Sequence, residues 1–443
     1  MIGSAIDVPD AVAALAPATL DELAGAGLLV REGASRVRGA VMLQPHGDIV
    51  IASDRSPPAL AEPPDMVPGV NPVGRLLARL TVRTQAATVL DLGTGNGMQA
   101  LVAAARAGEV LATDVNPRAL AYAELNARLN RITNVAFAAG SWFEPAAERS
   151  FDLILANPPF VVSPDAQLTY RDSGLGPGEL SATLLRQAAR RLQPGGFAHV
   201  TAEWGVPHGA DWRAVPREWV AGTGCDALVL RHQLVDSLDH AVMWNQRLAS
   251  IAPDRFEAAV ERWTRHHRRH GFEALAAAVV VLRRRAGGPP PWCSELAVHH
   301  GAGVEAGEHV LRMFAGEDLV QAAGAGGRGL LAERLVPVDG LRIEQTLDAR
   351  EARWRRDRAR LRLPAGAGVE GRVDERVLDT VFALDGRRTL DDVIRDVAAR
   401  RAADADALRA IALDEIPGLV RRGLVATVRQ RVRQPAPARG ARG

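Results

Sequence analysis

Between residues 71 and 286, short apolar runs alternate with helical stretches, and this alternation constrains the fold more than any other feature. ATVLDLG runs straight into glycines. MQALVAAARAG reads as a helix closed by Gly108, EVLATD as a strand, and PRALAYAELNARLN as a helix opened by Asn116-Pro117. Proline suits a first helical turn, because the N–H it lacks would have no helical partner there. NVAFAAG and FDLILANPP are the next strands, followed by the helix LSATLLRQAARRL and the strands GGFAHVTAEW and CDALVLRHQL. A helical insertion at about 237–271 precedes a last strand, ALAAAVVVLRRR. Strands alternating with helices of this length specify an α/β fold with a parallel, doubly wound sheet. Such sheets bind ligands beyond the carboxyl ends of their strands. Chemistry is therefore expected in the loops after Leu90, Ala112, Phe137 and Ala156.

The 443 residues leave room for flanking domains, at roughly 100–200 residues each. Residues 1–70 read as a small helix-plus-hairpin domain, with helices to about Gly25 and a hairpin turning at Pro45-His46-Gly47. The proline-rich SPPALAEPPDMVPG reads as a linker. AGGPPPW at 286–292 closes the central domain, 71–286. The C-terminal domain, 293–425, is clearest where Thr389 caps a helix, a second helix follows, and RRGLVATV makes a strand. That order is winged-helix-like, a shape that serves nucleic-acid binding, protein contact or structure alike. The Pro/Ala/Gly/Arg tail, 426–443, is expected to be disordered.

Composition excludes several chemistries. The two cysteines, Cys225 and Cys293, form no Cys-x-x-Cys, so neither a cysteine-built zinc site nor a disulfide framework is expected. No apolar run reaches the roughly 18 residues of a membrane helix. The N-terminus has no basic stretch before its apolar residues, so a secretory signal is not expected, and a cytoplasmic protein is. All 54 basic residues are arginines, which removes lysine mechanisms. A net charge of +2 is too mild to specify nucleic acid, although seven arginines and no acid lie beyond residue 420. His266, His267 and His270 have metal-compatible spacing, but four arginines among them disfavour a cation. They read as a solvated basic helix face, and no metal is expected.

The first constellation is Val89-Leu90-Asp91-Leu92-Gly93-Thr94-Gly95-Asn96-Gly97, between a strand and a helix. Gly93 and Gly95 let the chain turn tightly and meet a ligand without a Cβ clash. Asp114 ends the next strand, 23 residues after Asp91, where an acid accepts hydrogen bonds from ribose hydroxyls. A dinucleotide and an adenosyl sulfonium both suit this layout. Asp91, just before the glycines, would oppose a pyrophosphate but suits a cationic ligand. The glycines also stand at the first, third and fifth positions of the loop, not the sixth as in the dinucleotide fingerprint.

The segment resembles motif I of the class I S-adenosyl-L-methionine-dependent methyltransferases. The resemblance implies a Rossmann-like methyltransferase sheet and the cofactor S-adenosylmethionine. It places Asp91, Gly93, Thr94 and Gly95 beside the methionine part, Asp114 on the ribose, and Ser141 and Trp142 beside the adenine. Family members often have Asp where Ser141 stands.

The second constellation is Asn157-Pro158-Pro159-Phe160, directly after FDLILA. Tandem prolines stiffen the turn, remove two donors and leave carbonyls free to accept. Asn157 offers an acceptor and two donors, and Phe160 a flat face. Together they can grip the hydrogens of a conjugated nitrogen and point its lone pair at a methyl, which is catalysis by orientation. The tetrapeptide resembles the (Asn/Asp/Ser)-Pro-Pro-(Tyr/Phe) signature of amino methyltransferases. These include release-factor glutamine, adenine-N6 DNA and guanine-N2 ribosomal-RNA methyltransferases. The resemblance covers 71–200 well and 200–286 loosely, and the domain arrangement is similar to actinobacterial small-domain methyltransferases. It implies catalytic roles for Asn157, Pro158 and Phe160, with Asn157 also against the cofactor. Tyr170 and Arg171, on the loop from the same strand end, can contact substrate; alternatively Arg171 braces the loop through Asp172.

The expectation is transfer of a methyl group to a planar nitrogen of a protein, nucleobase or small molecule, without membrane or metal. O-methylation, natural-product tailoring and a non-catalytic methyltransferase-fold binding protein are the alternatives. A nucleotide-dependent oxidoreductase is disfavoured by the glycine spacing.

Overall fold

The computed structural model describes residues 4–428, except 56–61, 173, 300, 305, 351–352 and 357–358. Part of the linker and the tail beyond Val428 lie outside the described residues. The chain forms two compact units: Met1–Ala78 with Thr84–Leu296, and Arg79–Arg83 with Ala297–Gly443.

The alternating segments of the first unit build one sheet. Its elements are β1 (Ala86–Leu92), α1 (Met98–Ala104), β2 (Ala107–Asp114), α2 (Pro117–Leu129), β3 (Val135–Ala139) and β4 (Phe151–Ala156). They continue with α3 (Glu179–Arg191), β5 (Leu192–Pro207), α4 (Ala214–Val220), β6 (Cys225–Asp236), α5 (Ser237–Ala249), α6 (Pro253–Arg269), β7 (Phe272–Arg284) and β8 (Cys293–Ala297). The strand order is β8-β6-β7-β5-β4-β1-β2-β3. β1 pairs in parallel with both β2 and β4, so the order reverses at β1 and opens a crevice at its carboxyl end. β7 runs antiparallel between β5 and β6, which the strand pattern alone does not reveal. Gly108 lies inside β2 and does not close α1, which ends at Ala104. A Cβ there would come 2.8 Å from the Ala87 carbonyl oxygen, so the glycine permits close strand pairing.

β5 shows how the core is filled. Ala198, Val200, Ala202, Trp204 and Val206 alternate onto one face and join Leu184, Leu185 and Ala188 of α3 and Trp219 of α4. Burying a valine- or leucine-sized side chain contributes roughly 1.5–3 kcal/mol. The opposite face of the same strand is polar: His199, Thr201 and Glu203 are buried there.

The N-terminal hairpin, Val41–His46 with Ile49–Asp54, turns at Gly47-Asp48 and lies along α2. Asn126 accepts from Ala52 N–H at 2.7 Å and donates to the Ala52 and Asn96 carbonyls at 2.8 Å. Asn130, one turn on, exchanges the same pair of bonds with Val50 at 2.8 Å. Two asparagines at i, i+4 thus satisfy an open strand edge.

α5 and α6 form the insertion between β6 and β7. The basic run on α6 is not wholly solvated. Ala259, Trp263 and His267 are buried, at i, i+4 spacing, while Arg262, Arg265, Arg268 and Arg269 face outward. The spacing that lined up the arginines also lined up an inner stripe.

In the second unit, helices Glu375–Ala383, Leu390–Arg401 and Ala405–Arg421 pack Val377, Val393, Ile394 and Ile416 into one core. Thr389 caps its helix, accepting from Asp392 N–H at 3.2 Å. Strand Val425–Thr427 pairs antiparallel with Leu335–Pro337, not with a neighbour in sequence, and reaches two residues beyond 425.

Candidate active site

The loops leaving β1, β2, β3 and β4 surround a cavity of about 460 Å³. Gly93, Thr94 and Gly95 line it from the first loop, Asp114 from the second, Ser141 and Trp142 from the third, and Asn157, Pro158 and Pro159 from the fourth. Gly93 and Gly95 have φ of +64° and +57°, a region costly for residues with a Cβ. The loop is pinned from both sides. Thr94 N–H donates to the Thr113 carbonyl at 2.9 Å, and Gly95 N–H to Asp114 Oδ2 at 2.9 Å. The other oxygen of Asp114 accepts from Asn116 N–H at 2.9 Å. Burial raises the Asp114 carboxyl above the usual carboxylate range.

Asp91 does not reach the cavity. It is 1% exposed, accepting from Thr94 Oγ1 at 2.7 Å and from Ala100 N–H at 3.0 Å. It ties the glycine loop to the start of α1, and burial pushes its carboxyl up to about 7. Trp142 takes φ +48°, unusual for a non-glycine residue, and Ser141 N–H donates to Glu144 Oε2 at 3.0 Å.

Asn157 lies at the end of β4, where Thr201 Oγ1 donates to its Oδ1 at 2.8 Å. That leaves one lone pair on Oδ1 and the amide hydrogens. Phe160 does not line this cavity. It lines a neighbouring one of about 200 Å³ with Ser163, Pro164, Ser181 and His266, and packs with Val161 and Trp263. Tyr170 lines the main cavity, and its hydroxyl meets Glu62 Oε1 at 3.1 Å. Burial, then the Glu62 charge, pushes the phenol up to about 12. Arg171 has the geometry of a loop brace. Its Nε donates to Asp172 Oδ1 at 2.7 Å, its Nη2 lies 3.4 Å from Asp165, and its guanidinium stacks 5.5 Å from the Trp263 ring centroid.

Several lining residues were not legible in the sequence. Met66–Gly69, the end of the proline-rich linker segment, wall one side of the cavity together with Val70 and Asn71. Asn96 holds that wall through the Pro68 carbonyl at 2.9 Å, and Asn116 through the Asp65 carbonyl at 2.9 Å. Polar side chains beside the glycines and beside Asp114 were the one available signal. The charged lining residues are Asp114 and Asp172, and no described lining residue is basic. In a chain with 54 arginines, that is a site suited to a cation.

Residues 70–207, which carry the glycine loop, Asp114 and the Asn-Pro-Pro-Phe turn, match the methyltransferase small domain family. This segment is a methyltransferase small domain. The chain is 36% identical over 157 residues to the release factor glutamine methyltransferase of Salmonella typhimurium, covering 33% of this chain and 55% of that one. The enzyme of the same name from Xylella fastidiosa strain Temecula1 is 36% identical over 152 residues, with the same coverage. The chain thus spans about half the length of these relatives. A methyltransferase crystal structure from Pyrococcus furiosus is similar at 18% identity and a TM-score of 0.31, over 49% of this chain and 84% of that one. Residues 314–427 match a domain of unknown function (DUF7782). No helix among the described residues is long and apolar enough to cross a membrane, and none of their His, Cys, Asp and Glu groups is placed to hold a metal.

Proposed function

We propose that this protein is an S-adenosylmethionine-dependent N-methyltransferase whose acceptor is a planar amide nitrogen, in the first instance a protein glutamine. The observation that carries the reading is one cavity shared by the glycine loop, Asp114 and the Asn157-Pro158-Pro159 turn, with no basic residue among its described lining. The cofactor would supply an electrophilic methyl on a sulfonium. Gly93, Thr94 and Gly95 would hold its methionine end, Asp114 its ribose hydroxyls, and Ser141 and Trp142 its adenine. The acidic lining residues, Asp114 and Asp172, fit a cationic ligand. The glutamine acceptor is supported by the names of the relatives, and the lack of lining arginines disfavours an acceptor carrying phosphate beside the reacting nitrogen.

An amide nitrogen has a delocalised lone pair and is a poor nucleophile unless its hydrogens are gripped. Asn157 Oδ1 and the Pro158 carbonyl are the acceptors for those hydrogens, and their fixed positions aim the lone pair. As the nitrogen takes the methyl, the methyl's bond to sulfur would break with its electron pair left on sulfur, and the nitrogen would then shed one proton to water. Phe160 serves as a stacking face if the acceptor approaches from the neighbouring pocket. Arg171 holds the loop that presents Tyr170.

Two measurements test this. Calorimetric titration with S-adenosylmethionine should show binding, unaffected by a chelator. Purified bacterial release factor should then accept labelled methyl on a glutamine. Asn157→Ala should cut turnover by roughly 10²-fold while cofactor affinity stays within a few-fold, since misplacing a reacting pair by about 1 Å costs that much. Turnover equal to wild type would make the turn purely structural. Binding of a nicotinamide cofactor instead would overturn the whole reading.

A further inference from the structure

β5 sits in the middle of the sheet, yet one of its faces is polar. His199, Thr201 and Glu203 recur at the two-residue period of a strand and are 0–1% exposed. Polar groups are costly to bury unless partnered, and an apolar stripe would hold a sheet together at least as well. Two of the three reach across to the loop that leaves β4. Thr201 Oγ1 donates to Asn157 Oδ1 at 2.8 Å. Glu203 Oε1 accepts from the Val162 N–H at 2.8 Å and lies 3.1 Å from His240 Nε2. His240 Nδ1 has no partner, so the ring proton belongs on Nε2, facing the carboxylate. His267 Nε2 stands 3.3 Å from the Val162 carbonyl oxygen. The Val162 residue is therefore met on both its N–H and its C=O by buried side chains.

The insertion supplies half of this support. His240 comes from α5 and His267 from α6. Trp263 of α6 packs with Phe160 and Val161, and its Nε1–H donates to Asp165 at 3.0 Å. Residues 157–165 are thus tied at Asn157, Val162 and Asp165 to β5 or to the insertion.

We infer that Thr201, Glu203 and His240 are positioning residues for methyl transfer, holding the Asn157–Val162 loop so that the Asn157 amide meets the acceptor nitrogen. This rests on the methyltransferase reading above. Thr201 holds one lone pair of Asn157 Oδ1 and so fixes where the other lone pair and the amide hydrogens point. Glu203, oriented by His240, fixes the backbone five residues on. Neither residue lines the cavity, so their loss should act through the loop and not through cofactor contacts.

The full chain tests this through two pairs of variants. Thr201→Val keeps the shape and removes the donor, and Thr201→Ser keeps the donor. Glu203→Leu removes the acceptor, and Glu203→Gln keeps one. Methyl transfer from labelled S-adenosylmethionine to purified release factor gives kcat and KM, calorimetry gives cofactor affinity, and hydrogen exchange reads single amides. Thr201→Val is expected to lower kcat about tenfold or more, with cofactor affinity within about threefold, because orientation and not binding is lost. Thr201→Ser should recover most of that loss. Glu203→Leu should speed exchange at the Val162 amide about tenfold or more without changing amides of β1 and α2, as expected of local opening. Glu203→Gln should stay close to wild type. The inference is overturned if Thr201→Val turns over like wild type. It is equally overturned if Val162 exchange is unchanged in Glu203→Leu, or rises together with β1 and α2. Should Glu203→Leu fail to fold, the Thr201 pair decides. Should wild type bind the cofactor but label no release factor, the acceptor assignment has failed, and the same comparison is made on the extract fraction that wild type does label. Should wild type neither bind the cofactor nor label any fraction, the methyltransferase reading falls and the positioning role falls with it.

Discussion

Asp91 and Asp114 look alike in the sequence, each ending a strand before a loop, yet their surroundings give them different work. Asp91 is sealed under the glycine loop, and its carboxyl is lifted from 3.8 to about 7. At low pH it is protonated in both folded and unfolded chains. Between pH 3.8 and about 7 the unfolded chain has lost the proton while the folded one keeps it, so rising pH favours unfolding. Asp91→Asn removes this contribution. The melting temperature of wild type, minus that of Asp91→Asn, should fall as pH rises through that window. A flat difference would show that Asp91 ionises as freely as in water. Asp114 faces the cavity, and Asp114→Ala should weaken S-adenosylmethionine binding at least tenfold, since hydrogen bonds to a charged group contribute about 1.5–3 kcal/mol. Unchanged affinity by calorimetry would remove Asp114 from the ribose. The sequence pointed to both acids. Only burial separated the loop anchor from the acid that faces the cavity.

At the scale of elements, α2 has a second task besides crossing between β2 and β3. Its Asn126 closes the edge of the N-terminal hairpin and holds the Asn96 carbonyl of the glycine loop. Asn126→Ala would leave the Ala52 amide and carbonyl buried without partners. A loss of about 1–3 kcal/mol in denaturant-unfolding free energy is expected. A change within about 0.5 kcal/mol, the range of ordinary surface substitutions, would mean that the hairpin finds other partners. The asparagine spacing was visible in PRALAYAELNARLN, but its partner was not, because the hairpin lies more than 70 residues away. The insertion itself was legible, but the basic run on α6 is not the solvated face its sequence suggests, for a related reason. Helical period shows which residues share a face, but not whether the face meets solvent or another element. His267 is buried where the loop after β4 and the start of α5 present the Val162 and Ser237 carbonyls to its two ring nitrogens, each at 3.3 Å.

Every residue lining the cavity lies between Met66 and Asp172, within the first unit. A fragment of residues 1–296 is therefore expected to bind S-adenosylmethionine within about threefold of the full chain, since a domain with its own core can fold alone. Loss of binding in a folded fragment, checked by circular dichroism and calorimetry, would give the second unit a part in the site. The sequence by itself determined the sheet's identity, the strand–helix alternation of its central part, the glycine loop, Asp114 and the Asn-Pro-Pro-Phe turn. These are local signals: period, punctuation by glycine and proline, and short motifs at strand ends. The tertiary structure alone decided the reversed strand β7, the wall made by Met66–Asn71, the withdrawal of Asp91 from the cavity, and the placement of Phe160 on a second pocket. Each of these depends on which distant groups meet, and burial of a polar group is settled by the partner it finds across the sheet.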